Sequence, residues 1–239
     1  MACDPAVLIE QAKCINACIP PGMMPAVNAS LLCQILDMSS LPSGLIHYWS
    51  LNEAAGSARV DSIGGVNLSE NGGTIDSVLG KNANAVQFTN NNSLISAAQI
   101  EWNSDFSLAA WVKLDGIGDF VIADTILSNP HFICTNGATG SIQAIGSDNS
   151  ATLLTTSISI GVFHLLVLTC GSVTQALYVD GSIVDTNGDV GGHSANGPIQ
   201  IRRFNFSGAI VDAVMVFNRV LTQQDITSLW NSGAGKFPI

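Results

Sequence analysis

Hydrophobic and polar residues alternate along much of the chain after Gly44, which is the pattern of strands that bury one face. Between Phe106 and Lys113 every second residue is apolar, and we expect one face of this strand to carry Trp111 into a core. The run from Phe163 to Cys170 is apolar almost throughout, as in a strand covered on both faces.

Turn signals separate these runs. Asp180-Gly181 stands between two β-forming stretches, 175–179 and 182–185, and this dipeptide favours a type I′ hairpin. With the weaker runs 119–127, 131–135, 141–146 and 152–157, the pattern predicts about a dozen strands, which suits two facing antiparallel sheets. The residues expected in the core are Trp49, Phe88, Trp111, Leu166, Leu168, Leu177, Val179, Val214 and Val216.

The last part of the chain predicts a buried strand followed by one short helix. Val211, Val214 and Val216 lie among small or apolar neighbours, and Asn218-Arg219 ends the run. Thr222 with Asp225 three residues later is a variant of the capping box that opens helices.

The first 43 residues have a different, helical pattern. Asp4-Pro5 is a good helix start, and Pro20-Pro21-Gly22 must break the helix that follows before Pro25 opens a second one. The linker 39–44 then leads into the strands. Apolar side chains recur at helical spacing in both helices; the stripes are Leu8, Ala12, Ile15 and Cys18, and Val27, Leu31 and Ile35.

Two helices this short bury too little surface to be stable alone, so their stripes need another surface to cover them. We therefore interpret residues 1–43 as an assembly segment and 44–239 as a separate domain. Four of the six cysteines, Cys3, Cys14, Cys18 and Cys33, fall in this segment, but no Cys-x-x-Cys pair occurs. Buried thiols are the main interpretation, with disulfides or a metal site as alternatives.

Composition limits the partners. The formal net charge is −10, from 18 acidic and 8 basic residues with no basic run, so a phosphate backbone would be repelled and nucleic acid is not expected as a partner. No apolar run approaches the roughly 20 residues of a membrane-spanning helix. The N-terminus also lacks a basic region followed by an apolar stretch, so we expect no secretory signal and no membrane partner.

Several motifs after Gly44 together resemble one family. They are the opening strand LIHYWSLNE at 45–53, the polar loop DSIGG at 61–65, the turn GKNANAVQF at 80–88, the hairpin LYVDG at 177–181 and the ending Asp212 to Ile226 with Asn218, Arg219 and Leu221. The chain resembles the laminin-G-like, concanavalin A-like jelly-roll family. The resemblance implies an all-β fold, a two-sheet antiparallel jelly-roll sandwich, here with a short helical N-terminal segment and a short C-terminal helix.

The resemblance also implies a structural calcium ion between a loop acid and an acid near the last strand, which correspond to Asp61 and Asp212. Ala213 stands where the family usually has a second acid, and this weakens the expected site. His164 is implied to be a core histidine bonded to backbone. No paired carboxylates for glycoside hydrolysis and no readable Ser-His-Asp order occur, so we do not expect an enzyme.

Two functions from different classes remain. The runs CIPPGMMPAV at 18–27 and LLCQIL at 31–36 resemble the N-terminal module of structural proteins of tailed bacteriophages. This resemblance favours a virion structural protein, a capsid decoration or fibre-like component that displays the jelly roll. It would form a homo-oligomer such as a trimer, contact other virion proteins and present the jelly roll to glycans. The alternative is a free lectin-like module that binds carbohydrate or protein through its loops.

Overall fold

The computed structural model describes residues 41–88, 92–100, 105–114, 119–122, 132–136, 140–146, 153–188, 197–204 and 209–238. The chain from Pro42 onward forms one compact unit. The predicted helical hairpin, with its assembly residues Leu8, Ala12, Ile15, Cys18, Val27, Leu31 and Ile35, lies outside the described residues. That segment and its boundary at residue 43 therefore stay predictions.

Strands dominate the described part of the chain, and one helix, α1, Gln223–Trp230, follows the last strand before a 3-10 turn, Asn231–Gly233. The strands are β1 Leu45–Trp49, β2 Leu68–Asn71, β3 Asp76–Leu79, β4 Asn84–Phe88, β5 Ser93–Ile100, β6 Phe106–Leu114, β7 Asp119–Ile122, β8 Phe132–Asn136, β9 Ser141–Ala144, β10 Leu154–Ser157, β11 Phe163–Cys170, β12 Gln175–Val179, β13 Ser182–Asn187, β14 Gly197–Phe204 and β15 Ala209–Phe217.

The strands form two antiparallel sheets, as predicted. Sheet A has eight strands in the order β13-β12-β11-β6-β15-β4-β3, with β1 also paired to β15. Sheet B has seven strands in the order β10-β9-β8-β7-β14-β5-β2. The all-β jelly-roll fold class is thereby confirmed, and the C-terminal helix is present with the full capping box of Thr222 and Asp225.

Apolar side chains from both sheets meet in one core. Trp49, Leu166, Leu168 and Val214 come from sheet A, and Ile199 and Ile201 of β14 come from sheet B; all six are inaccessible to solvent. Val179, also predicted for the core, is only partly buried and packs against it. Burial of such side chains is worth about 2 kcal/mol each before the entropy of folding is subtracted, so this core is the main stabilising feature.

Trp111 is buried, but on the opposite face of β6 from the inter-sheet core. Leu108, Ala110 and Val112 of the same strand belong to the core cluster, and the alternation of a strand therefore turns Trp111 outward. The C-terminal residues Trp230 and Phe237 cover it, with ring centroids 5.3 and 6.4 Å from its own. The predicted burial of Trp111 is confirmed, but the end of the chain covers it rather than the facing sheet.

Strand β15 pairs with two different strands along one of its edges. Val214 and Val216 pair with β1, whereas residues 209–211 pair with β4. The change falls at Asp212 and Ala213, where the register to β6 also shifts and Ala213 has a φ of 51°. A bulge of this kind re-aims side chains, and it places Asp212 beside the turn between β3 and β4.

Among the residues that the structure describes, no helix is long and apolar enough to cross a membrane.

Candidate functional site

Five residues form a cluster on the outer face of sheet A, where β15 changes neighbours; we call them the polar junction. They are Tyr48 of β1, Glu53 in the loop after it, Lys81 in the β3–β4 turn, Trp111 of β6 and Asp212 of β15. Trp111 lies directly opposite Asp212 in the sheet, and Lys81 Nζ lies 4.8 Å from the centroid of the Trp111 ring. The junction therefore combines two acids, one base and two aromatic rings.

Backbone amides bind only one carboxylate oxygen of each of the two acids in the junction. Asp212 Oδ2 accepts hydrogen bonds from the amides of Lys81, at 2.7 Å, and Asn82, at 2.9 Å. Gly80 allows this approach, since a Cβ there would lie 2.6 Å from Asp212 Oδ2. Glu53 Oε1 accepts from the amide of Val60 at 2.8 Å.

Three buried polar atoms of the junction have no hydrogen-bond partner within the described part of the protein: Asp212 Oδ1, Glu53 Oε2 and Trp111 Nε1. A buried polar atom without a partner costs about 1 to 3 kcal/mol, so such atoms usually meet water or a ligand. The described part of the protein thus leaves two acceptors and one donor of the junction without hydrogen bonds.

Burial and charge shift the titration of two of these groups. Burial raises the pKa of Tyr48 above its usual range, and the negative charges of Asp212 and Glu53 raise it further, which shows that both acids act on this phenol. Burial also raises the pKa of Asp212 to about 6, although the amides of Asn82 and Lys81 work against this shift. Loss of a proton from Tyr48 or Asp212 is therefore less favourable in the junction than in water.

Asp61, the other predicted calcium ligand, organises the loop between β1 and β2. Its Oδ1 accepts from the amides of Tyr48, Ile63 and Gly64 at 2.9 to 3.1 Å. Its Oδ2 accepts from the amide of Val66 at 3.0 Å and contacts His47 Nδ1 at 2.7 Å. Burial pushes the pKa of Asp61 upward, but these hydrogen bonds outweigh it and lower the pKa below its usual value.

The calcium site that the family resemblance implies gains no support from this geometry. A carboxylate has about four lone pairs, and five protein donors already surround Asp61. The donors to Asp212 come from a different loop. Across the described ranges, no group of three His, Cys, Asp or Glu side chains could hold a metal ion. Calcium at Asp61 and Asp212 remains a prediction.

A second polar arrangement lies on sheet A, where β11 begins and β12 turns into β13. His164 Nδ1 lies 2.6 Å from Asp180 Oδ2, and His164 Nε2 lies 2.7 Å from Ser159 Oγ. Asp180 is fixed in turn, because its Oδ1 accepts from the amide of Leu165 at 3.0 Å. His164 was expected to bond to backbone, whereas both of its ring nitrogens contact side chains. The sequence shows no readable Ser-His-Asp order, but the fold brings these three side chains together.

Arg219, a residue of the C-terminal motif, makes its contacts within the fold. Its Nη1 contacts Asp225 Oδ2 at 2.8 Å, and its Nε donates to the carbonyl of Ser43 at 2.8 Å. This residue therefore ties the start of the domain to the first turn of α1, and it is a structural rather than a ligand-binding residue.

Sequence reasoning missed most of the polar junction. It singled out Asp212, but Glu53, Lys81 and Tyr48 were read only as parts of family motifs. Nothing in the local sequence marks them as neighbours, because the bulge at Ala213 and the pairing of β1 and β4 with one strand bring them together.

Residues 80–227, more than half of the chain, match the model of the laminin G type 3 family, described as the Concanavalin A-like lectin/glucanases superfamily. The chain belongs to this family. No curated protein sequence matches it. Family membership agrees with the two-sheet fold, and the chain is a lectin-like jelly roll.

Solved structures with the same fold include two binding domains of toxins. The binding domain of Paraclostridial Mosquitocidal Protein 1 matches with a TM-score of 0.64 and 14% identity, over 80% of this chain and 52% of that chain. The Botulinum Neurotoxin Type G Receptor Binding Domain matches with a TM-score of 0.61 and 14% identity, over 80% and 52%. Trypanosoma rangeli sialidase matches with a TM-score of 0.60 and 19% identity, over 82% and 35%.

At these identities the likeness concerns the fold alone. The chain spans about half the length of the toxin domains and about a third of the sialidase. The activities and receptors of those longer proteins are therefore not transferred to this lectin-like jelly roll.

Proposed function

We propose that this lectin-like jelly roll is a carbohydrate-binding module and that the polar junction binds hydroxyl groups of a neutral glycan. The support comes from family membership and from one observation of the site, the three polar atoms without partners at Asp212, Glu53 and Trp111. The same fold in two toxin binding domains is in keeping with a binding role.

The chemistry of the junction suits sugar hydroxyls. A hydroxyl both donates and accepts, so two neighbouring hydroxyls can satisfy the two carboxylate oxygens and the indole N–H together. Glu53, Lys81 and Asn82 are half-buried and Asn84 is exposed, so the junction lies just beneath the surface. In this proposal the flexible side chain of Lys81 moves aside to admit the ligand.

The negative charge of the protein favours neutral glycans over acidic ones. The formal net charge is −10, and two acids lie in the junction itself. A sialylated or sulfated glycan would bring further negative charge toward these acids and be repelled, whereas a neutral one would not. We therefore expect neutral glycans as ligands.

A glycan array probed with the full chain at pH 7.5 tests this proposal, followed by calorimetry with the best ligand. Glu53→Gln is the sharpest variant, because the amide can still accept from the Val60 amide while the acceptor at Oε2 becomes a donor. Loss of one hydrogen bond with a mismatched group costs about 1 to 3 kcal/mol, so we expect affinity to fall about tenfold or more.

Asp105→Asn is the matched control. Asp105 is exposed at the start of β6, about 20 Å along the strand from Trp111, and the substitution removes the same charge. Affinity should stay unchanged in this variant. No binding to any neutral glycan, or equal binding by Glu53→Gln and the native protein, would refute the proposal for this site.

A finer proposal concerns where the module is displayed. We propose that it is carried on a virion, as a capsid decoration or fibre-like component, and assembles through residues 1–43. The support is sequence alone, namely the apolar stripes at helical spacing and the resemblance to N-terminal modules of tailed-bacteriophage structural proteins. Loss of assembly in a Leu31→Asp variant tests it.

A further inference from the structure

Ser159, His164 and Asp180 form a continuous hydrogen-bonded chain at the surface of sheet A. The two contacts measure 2.7 Å between Ser159 Oγ and His164 Nε2 and 2.6 Å between His164 Nδ1 and Asp180 Oδ2. Ser159 is exposed, whereas the side chains of His164 and Asp180 are 13% and 29% exposed. The nucleophilic end of the chain therefore faces solvent and the acidic end is partly covered.

The partners fix the proton positions. An ionised carboxylate only accepts hydrogen bonds, so Nδ1 of His164 must carry the proton that binds Asp180 Oδ2. In the neutral imidazole, Nε2 then carries none and accepts the hydroxyl proton of Ser159. This is the tautomer that a histidine needs to act as a general base toward a serine.

Asp180 is held more firmly than a surface acid. It lies in the tight turn between β12 and β13 with a φ of 52°, and its amide donates to the carbonyl of Leu165 at 2.9 Å. Its second oxygen accepts from the amide of Leu165. These bonds orient the carboxylate toward the histidine that precedes Leu165, so Asp180 is a positioning residue.

We propose that Ser159 and His164 hydrolyse carboxylic esters by acyl transfer, with Asp180 orienting the imidazole. As Ser159 Oγ attacks the ester carbonyl carbon, its proton passes to His164 Nε2. The carbon–oxygen bond to the alcohol breaks, the alcohol leaves with that proton, and the acyl group stays on Ser159. A water molecule, deprotonated by His164, then attacks the acyl-serine, releasing the carboxylic acid and restoring the hydroxyl.

The surroundings of Ser159 indicate the substrate class. Ile160 and Val162 follow Ser159 in the same loop and are 43% and 50% exposed. Two exposed apolar side chains beside the serine can contact a short acyl chain. We therefore assign esters of short carboxylic acids as substrates. This site is separate from the polar junction, so the inference stands independently of the proposed glycan ligand.

A covalent probe and an ester substrate test the proposal together on the full chain. We expect a fluorophosphonate probe to add one mass increment, located by peptide mass spectrometry on Ser159. We also expect the native protein to hydrolyse p-nitrophenyl acetate. A positioned general base contributes about 100-fold or more. Ser159→Ala should therefore lose labelling and at least about nine-tenths of the hydrolysis rate.

Ser157→Ala is the matched control, because Ser157 is exposed on β10 two residues earlier. It should keep both labelling and rate. Both substitutions change an exposed side chain, and circular dichroism verifies the fold. A Ser159→Ala variant that keeps most of the native hydrolysis rate would indicate simple imidazole catalysis and would overturn the proposal. Absence of label on Ser159 in the native protein would overturn it as well.

Discussion

Asp212 is a buried acid whose two carboxylate oxygens have different surroundings. Oδ2 accepts from two backbone amides, whereas Oδ1 has no partner among the described residues. Burial raises the pKa of Asp212 from 3.8 to about 6, although the backbone amides of Asn82, Lys81 and Ala213 work against this shift. The folded protein therefore holds a proton on Asp212 at pH values where the unfolded chain has lost it.

This linkage predicts how stability changes with pH. Because the folded pKa is the higher one, ionisation of Asp212 lowers the free energy of unfolding as pH rises from about 4 to about 6, and the loss is complete above that range. Asp212→Asn removes the ionisation while its amide oxygen can still accept from Lys81 and Asn82. At about 1.4 kcal/mol per pKa unit, the variant should be about 2 to 3 kcal/mol more stable at pH 7.5 and about equal at pH 4.

Urea unfolding at both pH values measures this difference. Asp61→Asn is a control in which the free energy of unfolding should change in the opposite direction. Hydrogen bonds hold the pKa of Asp61 below its usual value, so the ionised side chain stabilises the fold above about pH 4. That variant should lose about 2 kcal/mol or more at pH 7.5, because an amide nitrogen cannot accept from Val66 and His47. A destabilised Asp212→Asn at pH 7.5 would mean that the amides require the charge.

Single residues also show which contacts could not be predicted from the sequence. Asp212 was singled out from its motif as a calcium candidate, which stays a prediction, and its neighbours Glu53 and Lys81 are distant in sequence. His164 and Asp180 were each dismissed when taken alone. Their contact depends on the pairing of β11 with β12, which brings Leu165 opposite the turn, and no local pattern around either residue contains that information.

At the scale of elements, the turn and the helix start were predicted correctly because a few neighbouring residues determine them. The hairpin at Asp180-Gly181 forms as expected, with φ values of 52° and 82° at the two turn residues. The helix start at Thr222 also follows from its capping box. Sequence could not decide which face of β6 meets the core, because that depends on the tail that covers Trp111 on the other side.

The packing of α1 against the hairpin gives a prediction for elements. A Cβ at Gly181 would lie 3.1 Å from Trp230 Cδ1 and 3.2 Å from Cβ and Cγ of the same side chain. Gly181→Ala should therefore cost about 1 kcal/mol for its left-handed backbone and at least about 1 kcal/mol more for displacing Trp230. Urea unfolding followed by tryptophan fluorescence measures both the stability and the movement of the indole.

Gly56→Ala separates the two contributions. Gly56 has nearly the same backbone angle, with a φ of +80° against +82° at Gly181, and nothing lies within 4 Å of a Cβ there. This variant should show the backbone cost alone. Equal costs for the two variants would show that α1 shifts freely and does not pack tightly on the hairpin.

At the scale of the whole molecule, the two-sheet fold followed from strand patterns and family resemblance, whereas assembly depends on residues 1–43. Their stripes are defined by sequence spacing alone, and a stripe needs a covering surface. If that surface is another copy of the chain, each buried Leu contributes about 2 kcal/mol to association. A charge in the centre of the stripe would have to be desolvated and would oppose association strongly.

Leu31→Asp is therefore expected to abolish assembly and leave the jelly roll folded. Light scattering after size exclusion should give a multiple of 24.9 kDa for the native chain and the mass of one chain for the variant, with unchanged circular dichroism. Ala29→Asp adds the same charge about 200° away around the predicted helix, outside the stripe, and should keep the native mass. A monomeric native chain, or a Leu31→Asp variant that keeps the native mass, would remove residues 1–43 as the assembly element. Display on a virion would then lose the means of attachment that the proposal assigns to residues 1–43, and a free lectin-like module would remain.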